Sequence, residues 1–131
     1  MIFLLDSNVV IEILRGGSPK LARRVWGRPL KEVAISSLVA HELYYGAFKS
    51  LHQTRGVAGV DALPFAVVAF EHGDARESGR VRAVLANSGK TIGIVDVLIA
   101  GQALARGLVL VTHNVGEFSR VPGLKLEDWQ A

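Results

Sequence analysis

Four short apolar runs constrain this chain most: Ile2–Leu5, Val33–Ile35, Val67–Phe70 and Leu108–Val111. Each is nearly continuous and β-branched-rich, without the alternation of a half-exposed strand. That pattern predicts strands buried on both faces. Helix signals fill the intervals. Ser7 or Asn8 can cap a helix over Val9–Arg15 that stops at Gly16-Gly17, and Ser18-Pro19 opens another with Pro at its first position. Ser36 or Ser37 can cap a helix through Leu51. Asp74 with Glu77 resembles a capping box for a helix ending near Asn87-Ser88-Gly89. A last helix from Val95 or Asp96 to Arg106 closes at Gly107, and residues 52–66 read as helix plus loop. Alternating strands and helices predict an α/β fold with a mostly parallel sheet covered on both faces. At 131 residues, without repeat, linker or low-complexity tract, one domain over 1–131 is expected.

Composition excludes several classes of function. The absence of Cys removes disulfide frameworks, thiolate zinc sites and cysteine nucleophiles. No Walker-type phosphate loop and no G-x-S-x-G elbow is present. No apolar stretch approaches the ~18 residues of a membrane span. Met1–Leu5 has no basic flank and meets Asp6 too soon for a signal peptide, so a cytoplasmic location is expected. Lys and Arg number 15 against 12 Asp and Glu. Were four of the acids gathered at one site, eight would remain to balance the bases elsewhere. An acidic pocket in a basic surface suits a polyanion processed at a metal.

Ligands of open parallel sheets bind beyond the carboxyl ends of the strands. Asp6 follows the first run directly; Thr112, His113 and Asn114 follow the fourth, with Glu117 a turn later. Glu42 lies on the helix after the second run, and Asp96 opens the helix leading into the fourth. Oxygen donors without Cys or paired His select a hard cation, Mg2+ or Mn2+. Each residue also has a plainer reading. Asp6 can cap a helix. Glu42 can belong to a solvent stripe with Lys49, and Asp96 can serve the helix dipole. Asn114 can be a turn residue and Glu117 a surface acid. Arg80, Arg82 and His113 can touch substrate phosphates or stay solvated. Trp26, Trp129, Tyr44 and Tyr45 read as packing groups.

At these residues the sequence resembles the PIN-domain ribonucleases, and among them the VapC toxins of bacterial toxin–antitoxin pairs. The resemblance rests on five blocks in order. They are Leu4-Leu5-Asp6-Ser7-Asn8-Val9; Ser36-Ser37 through Glu42-Leu43 to Gly46; Gly79-Arg80-Val81-Arg82-Ala83; Ile92 to Ala100; and Val111-Thr112-His113-Asn114 with Glu117-Phe118, Arg120 to Leu124 and Glu127-Asp128-Trp129.

The resemblance implies a three-layer α/β/α sandwich and a Mg2+- or Mn2+-dependent endoribonuclease. Asp6, Glu42 and Asp96 would hold the metal, with Asn114 and Glu117 completing the catalytic site. Ser7, where the family usually has Thr, would orient Asp6; Asn8 and Thr112 would support the site. Ile94-Val95 replace residues that are often more polar. The family also implies a homodimer and a cognate VapB-type antitoxin, which often places an Arg in the acidic pocket. Operator DNA would be reached only through that antitoxin. The substrate would be a structured RNA, either tRNA or ribosomal RNA. The C-terminal block looks most like relatives that cut initiator tRNA, which would stop translation.

Two other classes compete. A receiver-like signalling domain needs paired acids at the first strand end and a Lys after the last strand, where this chain has Asp6 alone and Thr112-His113. A catalytically silent PIN-like module would keep the fold for RNA or partner binding.

Overall fold

Buried on both faces, the apolar runs have only one another's edges to satisfy their backbone, and they pair as a single parallel sheet. The computed structural model describes residues 1–131. Its strands are β1 (Phe3–Leu5), β2 (Val33–Ser36), β3 (Ala66–Val68), β4 (Val109–Val111) and β5 (Leu126–Glu127). They lie in the order β3-β2-β1-β4-β5, every neighbouring pair parallel. Leu4 sits between Ala34 and Leu110, and all three are inaccessible to solvent.

The helices are α1 (Ser7–Arg15), α2 (Pro19–Trp26), α3 (Ser37–Lys49), α4 (Gln53–Asp61), α5 (His72–Asn87), α6 (Ile94–Arg106) and α7 (Val115–Phe118). α1 packs on α3 and α3 on α4, whereas α5 packs on α6. Right-handed crossovers demand this division, because β1→β2→β3 steps one way across the sheet and β3→β4→β5 the other. The expected α/β/α layering follows. The order of the connections reverses between β1 and β4, and beyond the carboxyl ends of strands at such a switch point open parallel sheets bind their ligands.

Local chemistry accounts for most boundaries. Ser18 accepts from the Leu21 N–H with Pro19 at the first helical position, and Ser36 caps α3 through the Leu38 N–H. Gly16 and Gly107 end α1 and α6 at φ 68° and 63°, a left-handed turn that a Cβ would strain.

Several expectations need correction. α1 begins at Ser7, so Asp6 occupies the capping position in place of Ser7 or Asn8. The capping box of α5 is Glu71 with Asp74, three residues before the expected pair. Asp74 reaches back to the Glu71 N–H at 2.8 Å and is itself buried against Arg106, which fixes the start. The third run is shorter than expected and is not buried on both faces: β3 is the sheet edge, and Val67 is 57% exposed. Residues 52–66 resolve into α4, a turn carrying the core residue Phe65, and the start of β3. β5 was unforeseen, because two residues without an apolar run leave no periodic signal.

The seam between α5 and α6 positions the amino end of α6. A Cβ on Gly101 would lie 2.4 Å from Ser78 Cα, so only glycine admits this approach. Arg106 closes the seam, donating to both Asp74 oxygens (3.1 and 2.9 Å) and to the Ala69 carbonyl (2.9 Å).

Candidate active site

Asp6 is buried at the end of β1, its N–H bonded to the Val111 carbonyl of β4. It stands at the capping position of α1, yet its carboxylate makes no cap bond. Thr112, directly after β4, donates its hydroxyl to Asp6 Oδ2 at 2.9 Å. The same hydroxyl oxygen accepts from the Asn114 N–H at 2.9 Å and shapes the following turn. Thr112 therefore orients Asp6, a role expected of Ser7. Ser7 instead donates to Glu42 Oε1 at 2.6 Å and holds the acid of α3 toward the sheet end. Glu42 does not pair with Lys49, whose ammonium lies over the Tyr45 ring.

Glu117 joins the β4 side to the α6 side. One oxygen accepts from the Gly93 N–H at 3.0 Å, immediately before α6, and the other from the Asn114 amide at 2.5 Å. Asp96 lies on the first turn of α6, close enough to Glu117 for its neutral form to donate a hydrogen bond to that carboxylate.

The electrostatics follow from this crowding. Burial raises the Asp6 carboxyl, with the Glu42 and Glu117 charges adding to the effect, while bonds from Thr112 and the Ser7 backbone oppose it. Asp96 is pushed up to about 7, first by burial, then by the hydrogen bond its neutral form makes to Glu117, then by the charges of Glu117, Asp6 and Glu42. Glu117 is held low, chiefly by the Gly93 N–H and despite its burial, with help from Asp96, Asn114 and Arg120. No Lys or Arg forms an ion pair with Asp6, Glu42, Asp96 or Glu117.

The four carboxylates, crowded together and with only the more distant Arg120 charge acting on Glu117, have the oxygen-donor chemistry that hard divalent ions select. No three of them converge on one coordination point as they stand. Glu42 is turned toward Ser7, and both oxygens of Glu117 are engaged by Gly93 and Asn114. Asp6, Asp96 and the second oxygen of Glu42 remain the available donors.

The remaining candidates divide. Asn8 is exposed on the first turn of α1. Arg80 is engaged by Glu77 on its own helix, which leaves it a surface ion pair. Arg82 lines a cavity of about 240 Å³ with Ile92, Ile94 and Val97 beside the start of α6. His113 is held by Asp128. Of the aromatic residues, Trp129 is buried edge-on against Phe3, and the half-exposed Trp26 stacks on Phe65. Two contributors went unforeseen: the Gly93 N–H, because a backbone donor carries no signature in sequence, and Asp128, which reaches the site only through the pairing of β5 with β4.

The fold and its acidic cluster define a nuclease-like α/β domain, and comparison with known proteins places it. The PIN domain family matches residues 3–124. The chain is 39% identical over 129 residues to the tRNA(fMet)-specific endonuclease VapC of Salmonella typhimurium and 37% identical to that of Shigella flexneri, covering 97% of each chain. Its fold superposes with a TM-score of 0.94 on a chain of the DNA-bound VapBC structure from Salmonella typhimurium, at 37% identity and 98% coverage of both. VapBC-1 from nontypeable Haemophilus influenzae matches with a TM-score of 0.90 at 30% identity, over the whole of both chains. This chain belongs to the PIN-domain family and, within it, to the VapC proteins.

Proposed function

We propose that the protein is a metal-dependent endoribonuclease of a toxin–antitoxin pair that hydrolyses phosphodiester bonds of a tRNA. The observation carrying this reading is the gathering of Asp6, Glu42, Asp96 and Glu117, from four separate elements, at the carboxyl edge of the sheet, none of them in an ion pair with Lys or Arg. Asp6, Asp96 and Glu42 would hold Mg2+ or Mn2+. When bound, such an ion supplies an acidified water and neutralises charge on the phosphoryl group under attack.

The chain's own residues do the positioning. Thr112 fixes Asp6 and Ser7 fixes Glu42, so neither carboxylate must be ordered when the substrate arrives. Asn114 and Gly93 anchor Glu117, which accepts a hydrogen bond from Asp96 whenever that carboxyl is neutral. The names of the Salmonella and Shigella relatives support initiator tRNA as the substrate and arrest of translation as the consequence. The VapBC complexes among the structural neighbours support a cognate VapB-type antitoxin, with operator DNA reached through that complex. A homodimer fits the same setting. No helix is long and apolar enough to cross a membrane.

The test is cleavage of a total tRNA pool by antitoxin-free protein with Mg2+, Mn2+ or EDTA, beside Asp96→Asn. Discrete fragments that need metal and vanish in the variant support the reading, and their ends name the RNA. An Asp96→Asn protein that cuts at the wild-type rate overturns the site assignment. Absence of both cleavage of any RNA and calorimetric Mn2+ binding makes the protein a silent PIN-like module.

A further inference from the structure

The carboxyl-terminal Glu127-Asp128-Trp129 segment builds a device at the edge of the acidic cluster. Trp129 is 2% exposed, set edge-on to Phe3 at 5.0 Å, with the Arg28 guanidinium over both rings at 4.4 and 4.5 Å. Its indole N–H donates to Glu127 Oε1 at 2.9 Å. Arg24 of α2 donates to the Asp128 carbonyl at 2.8 Å. Asp128 is thus fixed from both sides, and its carboxylate meets His113 Nδ1 at 3.0 and 3.2 Å.

His113 stands between Thr112, which bonds Asp6, and Asn114, which bonds Glu117; its side chain is 63% exposed. A carboxylate only accepts, so Nδ1 carries the hydrogen, and in the neutral ring Nε2 presents a lone pair. A lone pair repels phosphate oxygens and accepts a hydroxyl. On an RNA strand the hydroxyl beside every phosphodiester is the ribose 2′-OH, the group that distinguishes RNA from DNA.

We propose that His113, oriented by Asp128, accepts a hydrogen bond from the 2′-hydroxyl of a nucleotide flanking the cut and so contributes to the choice of RNA. The inference rests on the nuclease reading above. His113 is the contact residue and Asp128 a positioning residue acting through it.

The experiment measures kcat/KM at pH 8 on a cleavable RNA stem-loop and on versions carrying one 2′-deoxy nucleotide at each position flanking the cut. Wild type, His113→Ala and Asp128→Ala are compared, each shown by circular dichroism and thermal melting to be folded. At one position the wild type is expected to lose about three- to tenfold on removal of the 2′-OH, the range of a single hydrogen bond. Both variants are expected to start lower by a similar factor on the all-ribose substrate and to lose nothing more at that position. His113→Ala as sensitive as the wild type at every position, or cutting the all-ribose substrate at the wild-type kcat/KM, overturns the proposal. Wild type that cuts no RNA with Mg2+ or Mn2+ overturns the nuclease reading and this proposal together.

Discussion

Ser7 donates its hydroxyl to Glu42 Oε1 at 2.6 Å, although 35 residues separate the two in the chain. The residue immediately after Asp6 therefore orients a different acid of the cluster, and Asp6 takes its own orientation from Thr112 across the sheet. Asp6 and Glu42 are each held by a hydroxyl that follows a neighbouring strand.

Removing either hydroxyl tests that arrangement. Ser7→Ala is expected to weaken Mn2+ binding and RNA cleavage about 10-fold or more, as losses of ligand-orienting partners do, while Ser7→Thr keeps both. Isothermal calorimetry with Mn2+ gives the first quantity directly. Thr112→Val keeps the shape but strips the donor from a buried carboxylate, and a larger loss is expected. Equal affinities for wild type and Ser7→Ala would show that Glu42 needs no orientation.

The crowding of acids carries a stability cost in metal-free protein. Asp6 and Asp96 are both raised by burial and by neighbouring carboxylates. Asp6→Asn and Asp96→Asn are therefore expected to melt a few °C higher than the wild type in EDTA while losing cleavage. Differential scanning calorimetry in EDTA decides it; melting temperatures below the wild type would show that the repulsion is relieved some other way.

Acid stability should depend on Asp74. Burial alone would raise its carboxyl, but the Arg106 guanidinium, the Glu71 N–H and Gln102 together hold it below the usual carboxylate range. A group whose pKa is lower folded than unfolded stabilises the protein above the unfolded value, near 4. That contribution is lost as pH falls through the folded value. Asp74→Asn is expected to cost about 2–4 kcal/mol at pH 7, since it takes from Arg106 its buried carboxylate partner and leaves only the exposed Glu71 carboxylate 3.9 Å away. It should also flatten the decline in stability below pH 4. Urea titrations of both proteins from pH 3 to 7 measure the two slopes, and parallel curves would exclude this role.

Gly101 is a steric prediction. An alanine there gains helix propensity worth about 1 kcal/mol. However, its methyl group would meet the Ser78 backbone at 2.4 Å, where no side-chain rotation relieves the clash. Gly101→Ala is expected to destabilise by about 2 kcal/mol or more and to lower cleavage by shifting α6 and Asp96. Urea denaturation gives the first number, and an unchanged midpoint would mean that α5 and α6 separate freely.

The sequence by itself determined the sheet and most of the cluster. Short, continuous, β-branched apolar runs fit strands buried on both faces, and three of the four became the interior strands β1, β2 and β4. Residues just beyond such runs must lie at the ligand-binding edge, which made Asp6 and Thr112 legible without coordinates. Capping chemistry is equally local, and the starts of α2 and α3 follow from Ser18-Pro19 and Ser36. Only the tertiary structure decided which hydroxyl serves which acid. Ser7 and Thr112 are both plausible partners of Asp6 in sequence, and the choice depends on side-chain direction at three adjacent strand ends. It also decided β5 and the seating of Asp128 on His113. A two-residue strand carries too little hydrophobic pattern to be read, and its position comes from the ladder β4 offers it. Short-range steric and burial rules are written in the order of residues, whereas a hydrogen bond between distant segments exists only once packing has brought them together.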